Sequence, residues 1–224
     1  FYAINGTSLN VDNYLDLIST DSYTLNLADY NGGAITPNGQ SVALTKTVLA
    51  ENPILVNSVL TEGDKKIGYL MYNGFFSAYD NQLNTVFGNF SAQGVTDLVL
   101  DLRYNSGGAV TSATKLASMI TGQFDGQLFA REQWNSKAQA YFLANNPTRL
   151  ENKFVSGLNG LNLTKVYVLT SKSSASASEL VINCLKPYIQ VVQIGDVTAG
   201  KNVGSITLYD SPTFAKTDVN KSHK

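Results

Sequence analysis

Apolar residues in the second half of the chain repeat with two periods, which predict buried strands that alternate with helices. The first copy of this pattern has a strand at 98–100, a turn at 105–108 and a helix that carries Leu116, Met119 and Ile120. The second copy has a strand at 166–169, a helix at 178–185 and a strand at 191–194. Strands joined through helices need crossover connections, so the sequence predicts an α/β fold with a mostly parallel sheet.

The first 40 residues predict a smaller unit. A short strand at 2–4, an amphipathic helix at 11–18 and a strand at 23–27 precede two turns rich in Asn and Gly. So short a segment cannot close a core by itself. We therefore expect residues 1–40 to belong to a separate domain and residues 41–224 to form the main one.

The early part of the main domain predicts three strands and a helix. The strands are expected at 41–49, 54–60 and 66–72, and the helix has an apolar face made by Leu83, Val86, Phe87 and Phe90. Residues 121–164 are less regular, and a helix is expected only around 134–143. A segment of this length between two core units predicts an insertion at the rim or on the substrate side.

The amino-acid composition limits which partners and which catalytic groups the chain can use. The chain has 16 Lys and Arg against 17 Asp and Glu, so it lacks the basic excess that binds phosphates, and we expect no nucleic-acid partner. Its single histidine is His223, one residue from the end, and its single cysteine is Cys184. These counts exclude a zinc site built on His and Cys and a disulfide framework. Acid–base chemistry must therefore use Lys, Asp, Glu or Tyr.

The first residues of the chain and its apolar runs do not indicate a cellular compartment. No run reaches the about 18 uninterrupted apolar residues that span a bilayer, so no transmembrane segment is expected. The chain begins FYAINGTSLN, without an initiator Met or a signal sequence. We therefore expect it to be an internal part of a longer protein.

Two motifs match known sites only in part. The segment 195–201 has the glycine and lysine spacing of a phosphate-binding P-loop, but Asn202 replaces the hydroxyl that binds magnesium. A strand-like stretch at 203–208 follows where a helix should begin, so we expect no nucleotide partner. Ser112 and Lys115 have the Ser-x-x-Lys spacing of penicillin-binding enzymes. The companion motifs are absent, and the helical pattern predicts that both residues face solvent.

A third candidate is the serine-rich segment 173–179, which lies between a buried strand and a helix. Helix N-termini favour developing negative charge, although the segment also fits a plain N-cap with Glu179 in the first turn. Gly107 and Gly108, at the end of the other strand-to-helix turn, can offer backbone N–H groups to an oxyanion. Lys201, after the next strand, supplies a base that acts only when neutral, which requires a water-poor surrounding.

Three segments closely resemble the C-terminal processing, or tail-specific, serine peptidases. In chain order they read LVLDLRYNSGGAV, SSASASELVINCLK and VVQIGDVTAGKNVGS. The resemblance implies a crotonase/Clp-protease-like fold, with core strands that continue beyond Lys224 and with residues 1–40 as the C-terminal portion of a PDZ-like domain. The site residues that it implies are the nucleophile Ser176, the base Lys201 and the oxyanion donors Ala177 and Gly107 or Gly108. Ser205 stands where some members have a glutamine that orients the lysine.

The same resemblance implies a function. We expect a serine endopeptidase that hydrolyses polypeptides near their C-terminal ends through an acyl-enzyme, without a metal or cofactor, in the cell envelope, the periplasm or outside the cell. Two alternatives remain open. One is a catalytically impaired peptide-binding protein on the same fold. The other is a hydrolase with a carboxylate pair, formed by Asp101 with Glu179 or Asp196, although Asp101 and Arg103 also fit a structural ion pair.

Overall fold

The structure is a computed structural model of the 224-residue chain and describes residues 1–207 and 209–210. The chain divides into two compact units, Phe1–Glu51 and Asn52–Lys224. This division corrects the boundary expected between residues 40 and 41, which falls inside a strand that spans Ile35–Thr45. That strand pairs with the strand Ser22–Tyr30 over most of its length, and these hydrogen bonds keep residues 41–45 in the first unit.

The first unit is a four-stranded antiparallel sheet with the strand order β2-β1-β3-β4. Its elements are β1 (Ala3–Ile4), β2 (Thr7–Ser8), the helix α1 (Tyr14–Ser19), β3 (Ser22–Tyr30) and β4 (Ile35–Thr45). The strand, helix and strand expected from the sequence are confirmed. Ala3 and Ile4 are buried, whereas β4 is exposed along its whole length, as an edge strand can be.

The second unit contains a five-stranded sheet with the order β11-β10-β7-β6-β5. The strands are β5 (Ile54–Glu62), β6 (Lys65–Tyr72), β7 (Asp97–Asp101), β10 (Lys165–Thr170) and β11 (Gln190–Gly195). Only β5 is antiparallel to its neighbour, and the other pairs are parallel. The mostly parallel α/β sheet predicted from the alternation of strands and helices is therefore confirmed.

Helices pack on the sheet and form the core with it. They are α2 (Asp80–Ala92), α3 (Val110–Thr121) and α5 (Ala177–Leu185). The helix α4 (Ser136–Asn145) contributes no buried residue. The helix predicted from Leu83, Val86, Phe87 and Phe90 is α2, and all four side chains are buried. Alternate residues of the central strands, such as Leu98 and Leu100 of β7, pack into the same core. Burial of these side chains is the main stabilising term of the unit.

The segment between α3 and β10 contains more structure than its sequence predicts. Besides α4, it forms a two-stranded antiparallel sheet of β8 (Leu128–Arg131) and β9 (Glu151–Lys153). Strands of three or four residues are too short to produce a recognisable alternation, so no pattern in the sequence predicts them. In the chain, α4 lies between these two strands.

Three neighbouring strands bring the candidate residues to one edge of the sheet. Asp101 pairs with Leu169, and Thr170 pairs with Gly195, so β7, β10 and β11 end side by side. We call the segments that follow them the glycine turn (residues 105–108), the serine turn (171–176) and the lysine segment (196–207). In open α/β sheets this edge is where ligands usually bind.

Candidate active site

Hydrogen bonds join the glycine turn to the serine turn. Ser174 Oγ donates to the carbonyl of Leu102 at 2.7 Å, and Ser178 Oγ donates to the carbonyl of Asn105 at 2.8 Å. The backbone N–H of Ala175 donates to the same Asn105 carbonyl at 3.1 Å. Ser174 and Ser178 are fully buried, so two serines of the serine-rich sequence are structural, and they flank Ser176.

Ser176 is the N-cap of α5 and has a positive φ of 56°. A positive φ is uncommon for a residue other than glycine, and such strained positions cluster at functional sites. The backbone N–H of Ser176 donates to Glu179 Oε2 at 2.8 Å, which stabilises the turn. Gly107 lies directly against it, because a Cβ added there would be 2.7 Å from the Ser176 Cβ. A side chain at position 107 would therefore displace the serine.

The three expected oxyanion donors differ in their availability. The N–H of Gly107 donates to Asn105 Oδ1 at 2.8 Å, so it is already used within the glycine turn. The N–H groups of Gly108 and Ala177 have no acceptor among the described residues. Gly108 also needs to be a glycine, since its φ is 141° and an added Cβ would lie 2.3 Å from the Phe75 carbonyl oxygen. The geometry favours Gly108 with Ala177 as the donor pair.

The main chain of Lys201 is attached to α5 through Glu179. Gly200 N–H donates to Glu179 Oε1 at 2.6 Å, and Lys201 N–H donates to Glu179 Oε2 at 3.0 Å. One step earlier, Ala199 N–H donates to the Ser174 carbonyl at 2.9 Å. The same carboxylate thus accepts from the serine turn and from the lysine segment.

The Lys201 side chain is exposed, which corrects the expectation of a water-poor surrounding. No hydrogen bond joins Lys201 Nζ to Ser176 Oγ among the described residues. The two residues nevertheless line the same cavity of about 300 Å³, together with Val110, Leu180 and Val203. Catalytic hydrogen bonds are often long or absent in unliganded enzymes and tighten when substrate binds.

Residues 203–207 form no strand, which corrects the strand expected at 203–208; residue 208 lies outside the described residues. A strand needs a neighbouring strand edge for its hydrogen bonds, and no described strand pairs with this stretch. Ser205, the expected lysine-orienting residue, is exposed and makes no hydrogen bond to Lys201 within the described part of the chain.

Two carboxylates near the site are held as anions. Burial alone would raise the pKa of Glu179, but hydrogen bonds from Thr198 and from the N–H groups of Ser176, Gly200 and Lys201 outweigh it and lower the pKa. Burial also acts to raise the pKa of Asp101, but hydrogen bonds from Arg103 and Tyr69 lower it.

The contacts of these carboxylates argue against a carboxylate-pair hydrolase. Asp101 is fully buried and bound by Arg103 at 2.7 Å and by the Tyr69 hydroxyl at 2.7 Å. It is therefore the structural ion pair that the sequence offered as the other interpretation. Glu179 accepts backbone hydrogen bonds with both oxygens, and Asp196 is more than half exposed beside Lys172.

The other sequence candidates have structural explanations. Ser112 is fully buried in α3, so the expectation that it faces solvent is wrong. Lys115 is partly exposed and forms an ion pair of 2.8 Å with the nearly buried Asp80. Their positions follow from the packing of α3 against α2. No helix begins after Gly200 within the described residues, as expected for a segment that is not a P-loop.

Neither a metal site nor the histidine near the end of the chain adds a candidate functional site among the described residues. The described residues contain no cluster of three or more His, Cys, Asp or Glu side chains suited to a metal ion. His223 lies outside the described residues. Within the described part of the chain, no helix is both long and apolar enough to cross a membrane.

The sequence does not predict the role of Glu179 as a connector or that of Asn105 as the partner of Gly107. A partial signal existed for Glu179, because an acidic residue three positions after an N-cap serine is the spacing of a capping box. Its hydrogen bonds to Gly200 and Lys201 link residues more than twenty positions apart, and no local pattern encodes them.

These features define an α/β protein with a strained serine at a helix N-terminus, beside a glycine turn with a free N–H group. The sequence model of Peptidase family S41 matches residues 66–213, and the chain belongs to that family. This membership confirms the family resemblance and the α/β fold class expected from the sequence. The assignment of residues 1–40 to a PDZ-like domain stays a prediction.

Individual relatives agree with this membership. A CtpA-like serine protease of Staphylococcus epidermidis is 26% identical over 159 residues, which are 71% of this chain and 30% of that protein. A Bacteroides fragilis protein named as an S41 protease has a crystal structure with 31% identity and a TM-score of 0.64, over 94% of this chain and 56% of that one. The photosystem II D1 C-terminal processing protease shares the fold, with 21% identity, a TM-score of 0.54 and coverage of 93% and 53%. The chain thus spans about a third of the length of its curated relative.

Proposed function

We propose that the protein is a serine endopeptidase that cleaves polypeptides near their C-terminal ends through Ser176 and Lys201. The observation that carries this proposal is the connection through Glu179, which accepts hydrogen bonds from Ser176 N–H at 2.8 Å and from Lys201 N–H at 3.0 Å. One carboxylate thus ties the candidate nucleophile and the candidate base to the start of the same helix. Membership of a peptidase family supports the same function.

The mechanism uses only side chains and backbone groups of this chain. Bound polypeptide covers Lys201 and excludes water, and neutral Lys201 Nζ then takes the proton of Ser176 Oγ while that oxygen bonds to the carbonyl carbon of the peptide. Gly108 and Ala177 N–H groups stabilise the oxyanion that forms. The C–N bond then breaks, Lys201 returns the proton to the leaving amine, and water hydrolyses the acyl-enzyme. No metal or cofactor is needed for these steps.

The setting of this activity is also a proposal. We assign residues of the first unit to the C-terminal portion of a PDZ-like domain. We place the protein in the cell envelope, the periplasm or the extracellular space, in line with the resemblance to C-terminal processing peptidases. Neither nucleotides nor nucleic acids are partners in this proposal.

A second candidate function is peptide binding without hydrolysis. The observation that favours it is the exposure of the Lys201 side chain, which has no hydrogen bond to Ser176 among the described residues. In that case the cavity that both residues line would hold a peptide, and Ser176 would not be activated. The two functions differ in one measurable property, the nucleophilicity of Ser176.

A fluorophosphonate probe, which labels only activated serines, separates the two functions. We expect labelling at Ser176 by mass spectrometry, hydrolysis of an unfolded polypeptide, and loss of both in Ser176→Ala. The loss should be about 10⁴-fold or more, as for other serine nucleophiles. Ser112→Ala is the control, because Ser112 is the rival serine and is fully buried.

Two results would overturn the peptidase proposal. Binding of polypeptide without labelling of Ser176 would establish the peptide-binding alternative. Labelling or inactivation that follows Ser112 and not Ser176 would move the nucleophile to α3. The thermal midpoint of each variant shows that it is folded when its activity is measured.

A further inference from the structure

A second and larger cavity continues from the site along the lysine segment. Its volume is about 710 Å³, within the range of about 300 to 1,000 Å³ that is usual for ligand pockets. It shares five lining residues with the cavity of Ser176 and Lys201: Val110, Leu180, Asn202, Val203 and Gly204. A polypeptide whose carbonyl lies at Ser176 therefore has direct access to it.

The insertion between α3 and β10 supplies part of the lining of this larger cavity. Ala130 comes from β8, and Trp134 comes from the loop between β8 and α4. Trp134 is fixed in position, since its Nε1–H donates to Glu132 Oε2 at 3.0 Å and its ring packs edge-on against Phe142 at 5.5 Å. Ile206 of the lysine segment also lines the cavity.

The charged residues that line the cavity are engaged with partners. Glu132 Oε1 accepts from Asn152 at 3.2 Å, and its Oε2 lies 3.5 Å from Arg149 as well as bonding to Trp134. Arg131 pairs with Glu151 at 2.7 Å. The surfaces that remain for a ligand are then uncharged: the apolar ones, with an indole ring among them, and the polar side chains of Gln133, Asn202 and Ser205.

We propose that this larger cavity is a specificity pocket that receives a large apolar side chain of the polypeptide, next to the residue whose carbonyl Ser176 attacks. The assignment rests on the proposed peptidase function, because it places substrate at Ser176. It adds Trp134 and Ile206 as residues that select the substrate. A small or charged side chain would leave the indole and aliphatic walls uncovered or would lose its hydration there.

Trp134 is the only tryptophan of the chain, so its fluorescence reports directly on this cavity. Unlabelled peptides that differ at one position, with Phe, Leu, Ala, Asp or Lys, are titrated into the full chain carrying Ser176→Ala, which prevents turnover. We expect the Phe and Leu peptides to shift Trp134 emission to shorter wavelength. They should bind about 10-fold more tightly than the Ala peptide, since filling an apolar pocket gives discrimination of that order.

A matched pair of variants tests the position of the pocket. Ile206 and Val197 are both β-branched, are 58% and 68% exposed, and belong to the lysine segment, but Val197 lines neither cavity. Ile206→Asp should abolish the preference for Phe and Leu, and Val197→Asp should leave it intact. Calorimetry shows when the peptide saturates the protein. Trp134 emission that is unchanged at that saturation would overturn the proposal. Equal effects of the two substitutions, or tightest binding of the Lys peptide, would also overturn it.

The outcome for the pocket is separable from the outcome for the peptidase. Hydrolysis by the unsubstituted chain without any preference for Phe or Leu would reject the pocket and leave the peptidase function standing. Trp134-reported binding of apolar peptides without hydrolysis would reject the peptidase function and leave the pocket standing as part of a binding protein.

Discussion

The serine turn and the lysine segment follow adjacent parallel strands, but they are held in different ways. In the serine turn, buried hydroxyls bind the backbone after β7, and the turn continues directly into α5. In the lysine segment, hydrogen bonds fix residues as far as Lys201, and residues 202–207 are exposed and form neither helix nor strand. One half of the candidate site is thus built into the core, and the other half is attached to it.

This difference matters because Glu179 holds the part of the lysine segment that contains Lys201, next to the bond from Ala199 N–H to the Ser174 carbonyl. The two oxygens of Glu179 bind Gly200 and Lys201, and the same carboxylate binds the N–H of Ser176. These main-chain hydrogen bonds fix the backbone of Lys201 but not the direction of its side chain. In the proposed mechanism the position of the nucleophile is therefore set in advance, and the position of the base depends on the lysine segment and on substrate.

Replacement of Lys201 should give the largest effect on kcat/KM. It should test the lysine segment without disturbing the serine turn. Lys201→Ala and Lys201→Arg should both lower kcat/KM for an unfolded polypeptide by about 10²- to 10⁴-fold, the usual contribution of a general base. Arginine keeps the charge but does not deprotonate in the accessible pH range. Neither change should alter the thermal midpoint, because the side chain is exposed.

Lys201→Arg is the decisive variant of this pair. A rate close to that of the unsubstituted chain would mean that position 201 supplies only charge and that the base lies elsewhere. Lys172→Arg, at another exposed lysine near the same sheet edge, is the control and should leave the rate unchanged.

The sequence predicted the elements around the serine turn better than the lysine segment. Strands β7 and β10 and helix α5 have a clear apolar period, so their positions agree with expectation.

The boundary between the two units was predicted less well. The turn residues Pro37, Asn38 and Gly39 suggested a boundary, yet they lie within β4, where an edge strand tolerates proline. Local signals identify a turn residue but not the strand pairing that overrides it.

The candidate site shows the same limit. The residue types of Ser176 and Gly107 and their places after parallel strands could be read from the chain, and the structure brings them into contact. The exposure of Lys201 and the use of Gly107 N–H by Asn105 could not be read, because both depend on contacts through space. Burial of an individual side chain in a loop has no periodic signature.

Loss of a serine hydroxyl from the serine turn should cost stability. Ser174→Ala removes the donor to the Leu102 carbonyl and the acceptor of Ser171 N–H, and both bonds are in or next to the core. Leaving buried partners unpaired costs about 1 to 3 kcal/mol in the free energy of unfolding. Urea denaturation measures this change.

The neighbouring Ser173 provides the control for that experiment. Its side chain is exposed, so Ser173→Ala should change the free energy of unfolding by less than about 0.5 kcal/mol. Equal effects of the two substitutions would contradict the view that the serine turn is fixed by the hydroxyl of Ser174.

The smallest effect is expected from Glu179→Gln, which keeps the shape of the connector and removes its charge. The amide has one acceptor oxygen, so its NH₂ group must face at least one N–H that the carboxylate accepted. We expect faster hydrogen exchange at the Gly200 and Lys201 amides and a fall in kcat/KM of about 10-fold, equivalent to about 1.4 kcal/mol. Glu62→Gln, at an exposed glutamate of β5, should change neither.

The pH dependence of the Gly200 amide tests the same connector. Hydrogen bonds outweigh burial and lower the pKa of Glu179 below its ordinary value of 4.5, so its stabilising effect is fully present above that value. It is lost only as the pH falls through the lowered pKa of the folded state. A titration from pH 7 to pH 3, followed by the NMR shift of the Gly200 amide, should therefore show an acid transition below pH 4.5. Glu179→Gln should lack that transition; its persistence in the variant would mean that another carboxylate holds the lysine segment.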